Sequence, residues 1–220
     1  MTVVVICAGG PEDLLMDFSF LNGEPSVIYI GADRGALHLL NKGITPHHIV
    51  GDFDSVKESD WTMLQKRVGS VEKLPTEKDE TDTEAAVRLG MAYEPQKVIL
   101  TGVSGGRMDH FMSALHLMLR IQRSSTAKVS IRDNGNELFF LFPGSHQLVR
   151  DVHPYISFFP FGEVIDNVTL TGFKYEVDQE RIEYGMTKFT SNEFASDVCT
   201  ISFSSGICLV IRGTDVLKGE

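Results

Sequence analysis

Short apolar runs, each closed by Gly, Pro or polar turn residues, punctuate the first half of the chain at Val3–Cys7, Val27–Ile30, His48–Val50 and Val98–Leu100, and Val71–Leu74 reads as a further strand. Unbroken runs of this length fit strands buried on both faces. Between them the period lengthens to that of a helix. Ala36–Leu40 reads as a short helix stopped by Asn41-Lys42-Gly43. Lys57–Val68 carries Trp61, Leu64 and Val68 on one face, and Asp79–Tyr93 carries Ala85, Ala86, Leu89 and Ala92. Thr81 and Glu84 have capping-box spacing at the start of the latter. Met108–Gln122 is a longer helix with Phe111, Leu115, Met118 and Leu119 together. Strand–helix alternation with two-sided strands predicts a parallel sheet with helices on both faces.

Ser124-Ser125-Thr126 interrupts this pattern and reads as a linker, giving an α/β domain over residues 1–123 and a second domain over 127–220. In the second domain the helical period is gone. Val129–Arg132, Glu137–Phe142, Gln147–Val149, Tyr155–Phe159, Glu163–Leu170, Phe173–Val177, Thr200–Ser204 and Ile207–Ile211 read as strands, rich in β-branched and aromatic residues. Many short strands at this spacing predict an antiparallel sandwich or barrel. Asp133-Asn134-Gly135-Asn136 has the chemistry of a hairpin turn. Phe158-Phe159-Pro160-Phe161 is either an interface patch or core, and core is the simpler expectation.

Composition changes this picture little: 220 residues, 42% hydrophobic and 23% charged, describe an ordinary globular protein. The net charge of −10 argues against nucleic acid or an anionic membrane surface as partner. No apolar run is long enough to cross a membrane, and Val3–Ile6, with no basic residue before it, reads as a first strand and not as a signal peptide. The three cysteines, Cys7, Cys199 and Cys208, sit in apolar runs, so a reducing, cytoplasmic location is expected.

The candidate chemistry lies at the carboxyl ends of the predicted parallel strands, where ligands of such sheets bind. Gly51-Asp52-Phe53-Asp54-Ser55 follows the third strand. In an extended turn Asp52 and Asp54 would leave the backbone on one side, and two close carboxylates call for a cation. An all-oxygen site with substrate phosphates suits Mg²⁺. Alternatively, one of the two caps the next helix. Asp33 follows the second strand, Asp79 and Asp82 the fourth, and Arg107 and Asp109 the fifth. Each has a plainer reading. Asp33 supports a turn beside Gly31 and Gly35, and Asp79 and Asp82 complement a helix dipole. His110 and His116 read as surface or packing residues. The convergence of the clusters on one rim favours a metal–nucleotide site. Ser104-Gly105-Gly106-Arg107 is no P-loop, yet it offers backbone N–H groups at a helix start and a planar guanidinium, both suited to phosphate.

In order and spacing, Gly31-Ala32-Asp33-Arg34-Gly35, Gly51-Asp52-Phe53-Asp54-Ser55, Lys78-Asp79-Glu80-Thr81-Asp82 and Gly105-Gly106-Arg107-Met108-Asp109-His110 resemble the motif series of the thiamine pyrophosphokinase family. The tail from Ser191-Asn192-Glu193-Phe194 through Ser205–Val210 resembles its closing strands. The resemblance implies a Rossmann-like α/β domain followed by a β-sandwich. It also implies a homodimer with active sites at the subunit interface, and transfer of diphosphate from ATP to the thiamine hydroxyl with release of AMP. Carried over, it makes Asp52, Asp54 and Asp79 the Mg²⁺ and phosphate-site carboxylates, with Asp33 and Asp82 completing the rim. Arg107 would hold phosphate with Ser104, Gly105 and Gly106. Asp109 would stand near the attacking hydroxyl, and either Asp79 or Asp109 would take its proton. Ser204 and Ser205 would face thiamine. Two positions depart from the family pattern: Arg34, which reaches phosphate or points to solvent, stands for Gly, and Ala114 stands for Asn.

Overall fold

The computed structural model describes residues 1–53, 64, 67, 68, 70–73, 79–162 and 164–215. It divides into two compact units, Met1–Asn134 and Gly135–Glu220.

In the first unit, β1 (Thr2–Cys7), β2 (Ser26–Ala32), β3 (His48–Gly51), β4 (Ser70–Lys73), β5 (Lys97–Thr101) and β6 (Lys128–Arg132) pair in parallel in the order β6-β5-β1-β2-β3-β4. The helices α1 (Gly35–Asn41), α2 (Asp82–Met91) and α3 (Met108–Ser124) lie close to the expected spans. Gly43, at φ 75, closes α1 by donating its N–H to Leu40 O at 2.9 Å. The sheet is apolar on both faces. Val3 and Val5 pack with Met16, Leu21 and Ile99. Val4 and Ile6 turn the other way, towards α2, where a Cβ on Gly90 would stand 2.6 Å from Val4 Cγ1 and 3.4 Å from Ile6 Cδ1. That glycine lets the helix lie directly on the central strands. Most of the expected helix over 57–68 lies outside the described residues, as do Asp54, Ser55, Leu74, Lys78 and Glu163. Leu64 and Val68 are buried with Ala36, Ile49 and Phe53.

The boundary between the units differs from the expected linker at 124–126. β6 pairs in parallel with β5, so Ser124 ends α3, Ser125-Thr126 is only the short turn of a crossover, and the first unit runs through Asn134.

In the second unit, β7 (Asn136–Leu141), β8 (Gly144–Val149), β9 (Tyr155–Pro160), β10 (Ile165–Thr171), β11 (Val177–Ile182), β12 (Asn192–Glu193), β13 (Val198–Phe203) and β14 (Cys208–Gly213) are all paired antiparallel. They form two sheets, β12-β9-β14-β7 and β11-β10-β13-β8, whose inner residues share one core. Ile156, Phe158, Cys208 and Val210 come from one sheet; Val168, Leu170, Cys199 and Ile201 come from the other. Phe158 is 1% exposed and meets Phe173 edge-on at 5.6 Å, so the aromatic run is core. The strand expected at Phe173–Val177 is corrected. Phe173 is a buried bridge residue opposite Phe194, and the strand is the polar Val177–Ile182. Cys7, Cys199 and Cys208 are free and buried, and burial pushes the Cys7 and Cys208 thiols up to about 12.

A charge network centred on buried Arg212 ties the loop after β8 to β14. Arg212 Nη1 lies 2.5 Å from Asp151 Oδ2 and 3.7 Å from Glu137 Oε2, with its guanidinium 5.6 Å from the ring centres of Phe139 and Phe194. Asp151 Oδ1 accepts from the His153 backbone N–H at 2.9 Å and contacts His153 Nδ1 at 3.0 Å. Partial burial raises the Asp151 pKa, but the His153 hydrogen bonds and the Arg212 charge outweigh it and hold the carboxyl well below its usual range. Such a group stabilises the fold fully above its unfolded value of about 3.9 and loses that contribution as pH falls through its folded value. Replacing Asp151 by Asn is therefore expected to lower stability at pH 7 by about 2 kcal/mol and to flatten the acid-side decline below about pH 4. Urea unfolding of the whole chain across pH tests this, and equal stability of the two proteins at pH 7 would refute it.

Candidate active site

The strand order creates one reversal. From β1 the chain steps outward through β2, β3 and β4, then crosses back to β5 on the other side of β1. Open parallel sheets form their ligand crevice at such a point, where the flanking loops diverge. Here the two backbones are held together: Ala8 N–H donates to Thr101 O at 2.8 Å, and Gly10 N–H donates to Gly102 O at 2.7 Å. Glycine makes the approach possible. Gly102 has φ 70, and a Cβ there would stand 2.3 Å from Ala8 O; one on Gly10 would stand 2.5 Å from Gly102 O. Gly105, at φ 76, would put a Cβ 2.1 Å from Leu14 Cδ1, whereas Gly106 has nothing within 4 Å of that position. The Ser104–Gly106 turn thus leans on the loop after β1 and is open at Gly106.

This turn leads into α3. Arg107, at the N-cap position, makes no capping bond with its side chain. Its guanidinium instead forks onto Asp109, Nε to Oδ1 at 3.1 Å and Nη2 to Oδ2 at 2.5 Å. The Arg107 hydrogen bond, helped by the His110 N–H, lowers the Asp109 pKa to about 2. A carboxyl so acidic is a weak base. Both side chains are exposed, at 71% and 64%, so the fork is open to a competing anion. Ala114, 4% exposed, faces the core side of the same helix.

The ends of β2 and β3 form the acidic side. Gly35 starts α1 against β1, where a Cβ would stand 1.8 Å from Cys7 O. Asp33, at φ 49, donates its N–H to Val50 O at 2.8 Å, and a Cβ on Gly51 would stand 3.2 Å from Asp33 Cα. Asp33 and the Gly51–Asp52 segment are therefore neighbours, both aspartates half-buried. Arg34 is exposed, with its Cβ 3.2 Å from where Gly9 would carry one, which sets it beside the β1 loop. Phe53 has φ 58, so the turn is not extended as expected; its buried ring anchors the turn among Ala36, Ile49, Leu64 and Val68. Asp54 lies outside the described residues.

Asp82 begins α2, half-buried, behind an N-cap in which Thr81 accepts from the Glu84 N–H at 3.2 Å; Asp79 is exposed. Glu72 and Glu80 are engaged by Arg88, at 2.8 and 3.3 Å. Among the described residues no three His, Cys, Asp or Glu side chains converge to hold a metal. The donors at the ends of β2 and β3 are carboxylate oxygens, a set that fits a hard divalent cation better than a soft one.

In the second unit an open, shallow cavity of about 490 Å³ is lined by Gly144, Asn167, Thr169, Gln179, Ser202, Phe203 and Ser204. Ser204 Oγ accepts from Asn167 Nδ2 at 2.8 Å and donates to Asp166 O at 3.2 Å. Ser205 does not line it; its hydroxyl donates to Asp166 Oδ2 at 3.0 Å, and Asp166 Oδ1 pairs with Arg181. The sequence reading missed Asn167, Thr169 and Gln179. Their one signal is the break in alternation at Asn167, which has φ 57 at a shift of register in β10.

Comparison with known proteins gives a consistent result. A family model described as thiamin pyrophosphokinase, catalytic domain, matches residues 23–131, and one described as thiamin pyrophosphokinase, vitamin B1 binding domain, matches 145–208. Thiamine pyrophosphokinase of Bacillus subtilis is 35% identical over 98% of this chain and 100% of its own. The crystal structure of the Bacillus subtilis enzyme superposes with a TM-score of 0.89 at 34% identity, over 98% of this chain and 100% of that one. The thiamin pyrophosphokinase structure from Geobacillus thermodenitrificans gives 0.87 at 35% identity, covering 99% of each chain.

The glycine contacts make a paired prediction. Gly102→Ala meets both strain and backbone and is expected to lose about 2 kcal/mol or more of stability, while Gly106→Ala stays within about 0.5 kcal/mol of the parent. Thermal melts of the two variants decide it, and equal melting temperatures would overturn the steric account of the crevice.

Proposed function

The chain belongs to the thiamine pyrophosphokinase family, enzymes that diphosphorylate thiamine, and on that premise we propose that ATP is its donor, bound with Mg²⁺ at the crevice between β1 and β5. The observation that carries this reading is the open Ser104–Gly106 turn running into α3 beside Arg107. Free N–H groups at a helix start and a guanidinium that can exchange a carboxylate for phosphate are what a polyphosphate chain needs. Arg34, beside the β1 loop, is a second cation for the nucleotide. Asp33, Asp52, Asp54, Asp79 and Asp82 form the acidic rim, with Asp52, Asp54 and Asp79 holding the cation. When bound, Mg²⁺ would neutralise charge developing on the phosphate oxygens.

The thiamine hydroxyl attacks the β-phosphorus of ATP. A new O–P bond forms, and the bond from that phosphorus to the oxygen bridging it to the α-phosphate breaks; the bridging oxygen leaves with AMP. The hydroxyl proton goes to a carboxylate, Asp79 or Asp109. The low pKa of Asp109 while it is paired disfavours it until Arg107 has turned to the nucleotide. Catalysis is then chiefly positioning and charge stabilisation. Thiamine is a cation, drawn by a chain of net charge −10. The cavity at Ser204, within the region matched by the vitamin B1 binding model, is our candidate for its rings, with Ser205 supporting that wall through Asp166. Three free, buried cysteines support a reducing, cytoplasmic setting.

We also infer a homodimer with active sites at the subunit interface. Val149 and Val198, opposite each other on β8 and β13, are 60% and 48% exposed, an apolar cross-strand pair suited to a second copy.

Incubation with ATP, Mg²⁺ and thiamine should yield AMP and thiamine diphosphate one for one by chromatography. ADP with thiamine monophosphate would mean attack at the γ-phosphorus, and no consumption of ATP by folded protein would refute the reading. Arg107→Ala should lower turnover about a hundredfold with the fold intact. Near-normal turnover would remove Arg107 from its role. For the dimer, mixing inactive Asp52→Ala with an inactive Ser204→Trp variant should restore about a quarter of wild-type activity if the two units of each site come from different subunits. No recovery despite proven subunit exchange would place each site within one chain.

A further inference from the structure

The two residues that end the first unit grip both walls of the crevice. Asp133 Oδ2 accepts from Ser104 Oγ at 2.8 Å, on the β5 side. The Asp133 backbone forms an antiparallel bridge with Leu15, on the β1 side. Asn134 N–H donates to Leu14 O at 3.1 Å, and its Nδ2 donates to Asp13 O at 2.8 Å. Leu14, held in this way, is the residue whose Cδ1 fills the space above Gly105. Asp133 and Asn134 therefore reach the glycine turn twice, directly through Ser104 and indirectly through Leu14.

We propose that Asp133 is a positioning residue for the nucleotide: it fixes the Ser104–Gly106 turn against the loop after β1 and thereby sets the affinity for the donor's phosphates. This deepens the ATP reading and rests on it. A carboxylate beside a phosphate-binding turn is electrostatically unfavourable to a polyanion. Its value there is as an acceptor that Ser104 can bond, and not as a charge. Asparagine offers the same acceptor without the charge, whereas alanine leaves the Ser104 hydroxyl without that bond and frees the turn to open.

The test is steady-state kinetics and ATP calorimetry on Asp133→Ala, Asp133→Asn and Ser104→Ala in the full-length protein. Asp133→Ala should raise the KM for ATP about tenfold, the size of one lost hydrogen bond, while the KM for thiamine holds and kcat changes by less than about threefold. Asp133→Asn should restore the KM for ATP to within about twofold of wild type. Ser104→Ala should raise it as Asp133→Ala does, and the double substitution should add nothing further, because both remove one bond. An unchanged KM for ATP, a fall in kcat alone, failure of Asn to rescue, or additive effects would each overturn the proposal. If Asp133→Ala does not fold, Ser104→Ala and Asp133→Asn carry the test. Arg107→Ala, measured in parallel, separates the two levels. If it leaves ATP binding intact, the crevice is not the phosphate site; if it weakens binding and the Asp133 variants do not, only the positioning role falls.

Discussion

Where β1 and β5 end, two backbones approach more closely than side chains permit, and much of the first unit follows from that contact. Gly102 rests on Ala8 O and Gly10 on Gly102 O, while Gly35 seats α1 against Cys7 O. With those Cβ atoms absent, the loops at the reversal of strand order leave the sheet together and part only beyond it. The crevice therefore has a rigid floor, and the groups above it, the glycine turn, the start of α3 and the half-buried aspartates, take their places from backbone geometry and not from flexible side chains.

Much of the first unit was legible because its signals are local. Two-sided strands betray themselves as apolar runs, and β1, β2, β3 and β5 lie within two residues of the runs Val3–Cys7, Val27–Ile30, His48–Val50 and Val98–Leu100. Thr81 is the N-cap its spacing to Glu84 suggested, although the helix expected from Asp79 begins three residues later, at Asp82. Asp33, Asp52, Arg107 and Asp109 stood out because the parallel topology carries strand ends to one rim. What stayed hidden is made by residues far apart in the chain. Nothing local says that Asp133 meets Ser104, that Leu14 fills the space over Gly105, or that Arg34 stands beside Gly9. Phe53 turns left-handed because its ring is drawn into the core, which no count of alternating residues foresees.

The second unit was read less well for a different reason. β11, Val177-Asp178-Gln179-Glu180-Arg181-Ile182, is polar along most of its length because only its ends turn inward, so pattern alone passes over it. Phe173 is buried without belonging to a regular strand, and its apolar neighbourhood mimicked one. β6 belongs to the first unit and not to the second; a pair of serines at a helix end looks the same whether it leads to a new domain or back to the old sheet.

Phe53 belongs at once to the candidate acidic turn and to the core. The residue between Asp52 and Asp54 is also a member of the cluster formed by Ala36, Ile49, Leu64 and Val68, so the acidic turn is held by hydrophobic burial. Occupancy and cohesion are then thermodynamically coupled: a ligand that prefers the native turn tightens the cluster beneath it, and a cluster that loosens releases the ligand.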